Sequence, residues 1–269
     1  MNIHQEKIIE NLKNLEKELG RRPVKRDNAT LYFLSRKHFG TWNKMMSTAG
    51  YKCKSIQKPT TPKEITRELS YFLGLVSTDG HMQVKKEKGQ YRLMVYTSEK
   101  EEVDLILKLI LLLFNYKASI RLRKTGFKNS RPNYEIYMSS KDVTTFMKSL
   151  EIPSGAKSEN IRLPTIFFRK EAYIWDYLRG VFDGDGSIIF SGHNHIFKIS
   201  SGSIGFLKDL HKILIENGFN NFKIWKDKGN VWNLRNNTKR DIVDLHNQIY
   251  KNASFFYPRK KLKWDSQYI

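Results

Sequence analysis

Residues 72–80 read FLGLVSTDG, and residues 178–186 read LRGVFDGDG. Each is an apolar stretch with a glycine near its start and Asp-Gly at its end. The spacing matches: Gly74, Asp79 and Gly80 in the first copy, Gly180, Asp185 and Gly186 in the second. A helix that is mostly apolar is buried, and a glycine in its middle lets another backbone approach closely. A chain that makes such a helix twice can use each copy as the partner of the other.

The surroundings repeat as well. After the first motif, HMQVKKEKGQYRLMVYTS reads as two strands about a Lys/Gly turn, Glu101 to Phe114 as a helix, KASIRLRKTGFKNSRPNYEIYMSS as a second strand pair, and Lys141 to Leu150 as a helix. After the second motif helix, Ala172 to Phe182, the order recurs: SIIFSGHNHIFKISS, a helix from Ile204 to Asn217, FKIWKDKGNVWNLRN, and a helix from Lys239 to Lys251. A repeat of this size predicts two similar units facing each other about a pseudo-two-fold axis. Thr61 suits an N-cap, Pro62 a first helical position, and Glu64 completes a capping box, so the first motif helix is expected to begin there.

The segment before the repeat is different. His4 to Leu19 has helical spacing and stops at Gly20; Asp27 or Asn28 can cap a second helix, and Thr41 a third that starts at Trp42, itself read as core. The predicted architecture is α+β. A small all-α, helix-turn-helix-like domain (1–58) and a linker (59–61) precede two pseudo-symmetric αββαββα halves, 62–163 and 164–269.

Charge narrows the partner. Lys and Arg number 48 against 27 Asp and Glu, a net charge of +21. Such a chain repels itself unless it meets a polyanion, of which nucleic acid comes first. No apolar run is long enough to span a bilayer, and no apolar signal-peptide core is present. The single cysteine, Cys53, leaves no internal disulfide and no Cys-rich zinc site. A cytoplasmic or other intracellular, monomeric protein with no membrane partner is expected.

Two apolar helices packed side by side would bring Asp79 and Asp185 together at their C-terminal ends. Adjacent carboxylates repel unless a cation lies between them, and the negative helix ends favour the same cation. A few oxygen ligands completed by water and phosphate suit Mg²⁺, with Mn²⁺ or Ca²⁺ as substitutes in the same site.

The paired motifs and the order of elements resemble a monomeric LAGLIDADG homing endonuclease over about residues 62–265. The resemblance implies metal-dependent hydrolysis of one phosphodiester in each strand of a long, asymmetric duplex. Asp79 and Asp185 would be the catalytic metal ligands, one per strand, with Gly80 and Gly186 adjoining them at the metal. Asp183, at the position occupied by Ser77 in the first motif, would support the turn and not bind metal. The family often places a lysine after the last helix of each half. Lys157 and Lys261 hold the matching places, with Lys260 a near-equal alternative to the latter. Where some members carry Gln or Lys at the end of the second strand, this chain has Thr97-Ser98 and Ser201-Gly202.

The sheets would lie over DNA. Candidate contacts are Gln83, Lys85, Arg92, Arg121, Arg123, Lys124, His193, Lys198, Lys223, Lys226, Asn233 and Arg235, with Arg and Gln suited to base edges and Lys to phosphates. A one-residue slip in register inverts that set. In the N-terminal segment, LGRRPVKRD and FGTWNKMMSTAGYK resemble the repeat associated with phage and bacterial homing endonucleases. It implies an auxiliary DNA-binding module in which Arg21, Arg22, Lys25, Arg26, Arg36, Lys37 and Lys44 contact phosphates. Two other readings stand beside the nuclease: a non-cleaving DNA-binding regulator, and a maturase bound to its host intron RNA. An intein is not expected, because the sequence lacks splice-junction residues at its ends.

Overall fold

The computed structural model describes residues 1–53, 57–123, 133–155, 159–169, 173–191 and 194–266. It divides into two compact units, Met1–Ile56 and Gln57–Ile269.

The first unit holds helices α1 (Ile3–Leu19), α2 (Ala29–Phe39) and α3 (Trp42–Thr48). Each begins at a side-chain cap. Asn2 and Gln5 form a reciprocal capping box, Asn28 accepts from the Leu31 amide, and Thr41 accepts from the Lys44 amide. Gly20 ends α1 in the left-handed conformation that glycine adopts without strain. Ile8, Leu12, Leu31, Phe39, Trp42, Met45 and Met46 make a core of their own.

The second unit is α+β and twofold repeated. The first half runs α4 (Arg67–Asp79), β1 (Gly80–Lys85), β2 (Gln90–Thr97), α5 (Lys100–Phe114), β3 (Ser119–Arg123), β4 (Asn133–Met138) and α6 (Lys141–Ser149). The second runs α7 (Ile174–Asp185), β5 (Gly186–Ser191), β6 (Asn194–Ser201), α8 (Ile204–Glu216), β7 (Lys223–Lys226), β8 (Trp232–Asn236) and α9 (Lys239–Tyr250). A further helix, α10 (Pro258–Asp265), follows. The four-stranded antiparallel sheets have equivalent orders, β1-β2-β4-β3 and β5-β6-β8-β7.

One expected boundary is wrong. α4 starts at Arg67, capped by Thr66, whose side chain accepts from the Leu69 amide at 3.2 Å. The earlier Thr-Pro pair does not nucleate it, because the Thr60 amide donates to the Phe114 carbonyl at 2.9 Å and ties that stretch to the end of α5.

α4 and α7 form the most extensive helix contact in the chain. A Cβ added at Gly74 would lie 2.2 Å from the Tyr177 carbonyl oxygen and 2.9 Å from Gly180 Cα; one added at Gly180 would lie 2.2 Å from the Tyr71 carbonyl oxygen. The two backbones therefore touch where the sequence places its glycines. One hydrophobic core runs through both halves, taking Phe72, Leu75, Val76, Leu178, Val181 and Phe182 from this helix pair. Strand alternation turns Met82, Leu93, Val95, Ile136 and Met138 of one sheet, and Ile188, Phe197, Ile199 and Leu234 of the other, into that core. The opposite parity forms an open face on each sheet.

Candidate active site and nucleic-acid interface

The helix pair sets the position of the two carboxylates. α4 ends on Asp79 and α7 on Asp185, and the next residue in each case, Gly80 or Gly186, is already extended. Neither turn has room for a side chain. A Cβ on Gly80 would meet the Val76 carbonyl oxygen at 2.5 Å, and one on Gly186 the Phe182 carbonyl oxygen at 2.5 Å. Asp79 is half-buried and Asp185 exposed. The Asp79 carboxylate lies against the other motif, since a Cβ added at Gly184 would come within 3.2 Å of its Oδ2.

The lysine beside this turn is Lys260. Its ammonium donates to the carbonyls of Phe182 (2.9 Å), Gly184 (3.1 Å) and Gly186 (2.6 Å). It thus joins the Gly186 amide on the Phe182 carbonyl and adds a donor to the Gly184 and Gly186 carbonyls at the turn out of α7. Burial pushes its pKa down, while the charges of Asp183, Asp79 and Asp185 oppose that shift. Lys260 thus lies within electrostatic reach of both motif aspartates.

Lys261, expected in this role, lies elsewhere. It donates to Asp265 at 2.5 Å and sits over the rings of Tyr250 and Phe256. One residue along a helix is a rotation of about 100°, which separates the two lysines. The carbonyl of Gly186, expected beside the metal, accepts from Lys260. Lys157 lies outside the described residues.

The donor set suits a lightly held divalent ion. Among the described residues no group of three or more His, Cys, Asp or Glu side chains converges. Asp79 and Asp185 therefore supply at most two protein carboxylates. That matches Mg²⁺, which keeps several waters and takes substrate phosphate oxygens as ligands.

The register fixes what each open face presents. On the first sheet His81, Gln83, Lys85, Arg92, Met94, Tyr96, Arg121, Arg123, Glu135 and Tyr137 share the parity opposite the core. All five described candidate contacts of this half are among them. Arg121 and Arg123 flank the buried Glu135 carboxylate at 3.8 and 3.3 Å, and Arg92 lies over the Tyr137 ring. On the second sheet Lys198, Lys223 and Arg235 lie on the open face in register with one another.

Two candidates of the second half do not fit. Asn233 is 7% exposed, and its amide is spent on Ser200 (2.7 Å) and Asp227 (2.8 Å). Lys226 shares the parity of Ile224 and rests over the Trp232 ring, on the helix side of the sheet. Lys124 and His193 lie outside the described residues.

In the first unit Lys25, Arg26, Arg36, Lys37 and Lys44 are exposed. Arg21 and Arg22 have internal partners instead. Arg21 makes a two-bond fork to Asp27 (2.8 and 2.9 Å), whose carboxyl it holds down at about 2. Arg22 donates to the Lys52 carbonyl at 3.0 Å and lies over the Tyr51 ring. Both hold the turns after α1 and α3 in place.

Several site-building residues carried no strong sequence signal. Asp183 is buried, accepting from the Tyr71 hydroxyl at 2.7 Å and the Tyr257 amide at 2.8 Å; burial pushes its carboxyl up to about 7. Thr97, at the end of the second strand, donates to Glu102 and so supports the start of α5. The apolar residues of the second open face, Ile189 and Trp225, broke the polar alternation of their strands and could have been noticed for that reason.

A family model described as a homing endonuclease associated repeat matches residues 3–52, and one described as a LAGLIDADG-like domain matches residues 67–151. No curated protein matches the sequence significantly. Among solved structures, I-WcaI bound to its DNA recognition sequence aligns with a TM-score of 0.56 at 14% identity, over 76% of this chain and 88% of that one. I-DmoI in complex with DNA and Ca aligns with a TM-score of 0.53 at 18% identity, over 74% of this chain and 97% of that one. I-DmoI with DNA and Mn gives 0.50 at 18%, over 68% and 96%. At these identities the likeness is one of fold.

Proposed function

We propose that this chain, which joins a homing endonuclease associated repeat to a LAGLIDADG fold, is a site-specific endonuclease that cuts both strands of a long, asymmetric DNA duplex. The observation that carries the reading is the helix pair. Gly74 and Gly180 bring α4 and α7 into backbone contact, and each helix ends on an aspartate within reach of the Lys260 charge. Two such carboxylates serve two strands.

Asp79 and Asp185 would hold a divalent cation, Mg²⁺ or an equivalent, through their carboxylate oxygens. When bound, it supplies Lewis-acid polarisation of the scissile phosphate and a water of lowered pKa. The chain's own groups do the rest. Lys260 fixes the Gly184-Asp185-Gly186 turn through its carbonyls and offsets negative charge at the end of α7. Lys198, Lys223, Arg235, Arg92, Arg121 and Arg123 give the open faces the positive charge that a phosphate backbone requires. The exposed lysines and arginines of the first unit would add sequence-independent affinity.

The test uses the full chain and a randomised duplex library in Mg²⁺, with sequencing of the cut ends. Double-strand cuts at one long motif, lost in Asp79→Asn and Asp185→Asn while binding persists, are expected. Tight, salt-sensitive binding without cutting in any divalent metal would overturn the nuclease reading and leave a regulator or an RNA-binding maturase.

A further inference from the structure

The two open faces differ in chemistry. The first presents hydrogen-bonding groups, with Gln83 in register with Arg92 and the Arg121–Glu135–Arg123 cluster beside them. The second adds exposed apolar side chains to its cations. Ile189 on β5 is in register with Ile196 on β6, and Ile189 is 41% exposed. Trp225 on the edge strand β7 is 59% exposed and opposite Asn233. Isoleucine and tryptophan facing outward from a sheet call for a partner surface.

The neighbours say what that surface is. Lys198 is in register with Arg235, which is in register with Lys223, so three cations cross the same face side by side. Like charges directly opposite one another destabilise a sheet, and this row is relieved by a polyanion. The polar side chains between them are already satisfied, since Ser200, Asn233 and Asp227 bond to one another. What remains for a ligand is a row of cations for phosphate, with apolar side chains on the rungs to either side of it, Ile189 and Ile196 on one and Trp225 on the other, for something methylated. In the DNA major groove the apolar feature is the 5-methyl group of thymine.

Resting on the nuclease reading above, we propose that the second sheet recognises its half of the target through thymine methyl groups, with Ile189, Ile196 and Trp225 as specificity-determining residues. The first sheet reads its half by hydrogen bonds. Target discrimination is therefore divided chemically between the two halves of one chain.

The experiment takes the duplex selected by the full-length protein and replaces thymidine by deoxyuridine, which removes only the methyl, in one half-site or the other. Binding and cutting are measured separately. Substitution in one half should weaken binding about fourfold for each contacted methyl, from the transfer free energy of a buried methylene-sized group, and substitution in the other half should not. Ile189→Ala and Trp225→Ala should each reduce that sensitivity. Equal sensitivity in both halves, sensitivity unchanged in both variants, or a selected target with no thymine contact in either half would overturn the proposal. So would a concentration-dependent dimer that the same variants abolish, because these apolar side chains would then belong to a contact with a second copy. Deoxyuridine-sensitive binding without cutting would sink the nuclease reading alone, and deoxyuridine-insensitive cutting would sink this inference alone. Failure to bind any duplex would sink both.

Discussion

The Tyr71 hydroxyl donates to the Asp183 carboxylate at 2.7 Å, from one motif helix to the other. The pseudo-symmetric bond is Tyr177 to Ser77, at 2.9 Å. Each tyrosine stands three residues before its own motif glycine, and each acceptor three residues after the other's. The glycines thus mark the centre of a crossed pair of bonds. The helix pair is held by polar contacts on either side of a backbone-to-backbone approach, and Asp79 and Asp185 end the two helices two residues beyond Ser77 and Asp183.

That approach predicts the cost of filling it. Gly74→Ala places a methyl 2.2 Å from the Tyr177 carbonyl oxygen and 2.9 Å from Gly180 Cα, both backbone atoms that cannot rotate aside. The helices must separate, so a loss of about 3 kcal/mol or more is expected, at or beyond the upper end of ordinary overpacking. Urea denaturation of the purified variant checks it. Stability within 1 kcal/mol of the parent chain (roughly the lower end of overpacking) would mean that the two backbones are not in contact.

Asp183 predicts a pH dependence. Its carboxyl titrates near 7 in the folded chain because burial disfavours the anion, against the ordinary value of 3.8. The folded state therefore holds its proton after the unfolded chain has lost it. The stability this contributes is complete below about pH 4 and is lost as pH rises to about 7, a change of a few kcal/mol. Denaturation midpoints for the parent chain and Asp183→Asn, whose amide mimics the protonated carboxyl, should agree near pH 4 and diverge toward pH 8 in the variant's favour. Parallel curves would show that the group does not titrate in this window. The tyrosines around it, Tyr71, Tyr250 and Tyr257, are pushed up by burial and stay neutral across that range.

Much of this architecture was legible because the sequence states it twice. The Gly-Asp-Gly spacing, the strand pairs and the helix order fix the repeated α+β unit before any coordinate is known. Failures came where a choice is made by contacts far away in sequence. Two threonines could each cap α4, and the bond from Thr60 to Phe114 decides for Thr66. Lys260 and Lys261 differ only in which side of α10 they occupy, which depends on where that helix docks. Arg21 is tied to Asp27 by a turn that the sequence alone does not pair with it. Lys226 was misplaced for lack of register, the one piece of information a strand sequence does not carry by itself, and Asn233 because its partners Ser200 and Asp227 are set by the folded sheet.

Removing the Lys260 ammonium should loosen the second active-site turn. Lys260→Met leaves the carbonyls of Phe182, Gly184 and Gly186 without this donor, and a loss of about 2–3 kcal/mol is expected from unsatisfied acceptors at a partly buried helix end. Cutting should fall on both strands, since the charge reaches both Asp79 and Asp185. Lys261→Met, which keeps those bonds, should change cutting little. Equal effects of the two variants in a strand-resolved cleavage assay would return the catalytic role to Lys261 or remove it from both.

The base of the second motif helix predicts a coupling. Arg179 is 2% exposed and donates to Asp176 (2.6 Å) and to the carbonyls of Phe255 (2.8 Å) and Ile249 (2.5 Å). Asp176 also accepts from Arg67 at 3.0 Å, whose other nitrogens reach the Lys251 and Asn252 carbonyls. The cluster ties α4 and α7 to the end of α9. Arg179→Met leaves a buried carboxylate with one partner and should cost about 3–5 kcal/mol, because an uncompensated buried charge is worse than none. Adding Asp176→Asn removes that charge and should recover part of the loss. The double variant would then be more stable than the sum of the two single losses predicts, by about 1–3 kcal/mol. Strict additivity in a denaturation cycle would mean that the two side chains act independently, and that the chain holds its motif helices together by packing alone.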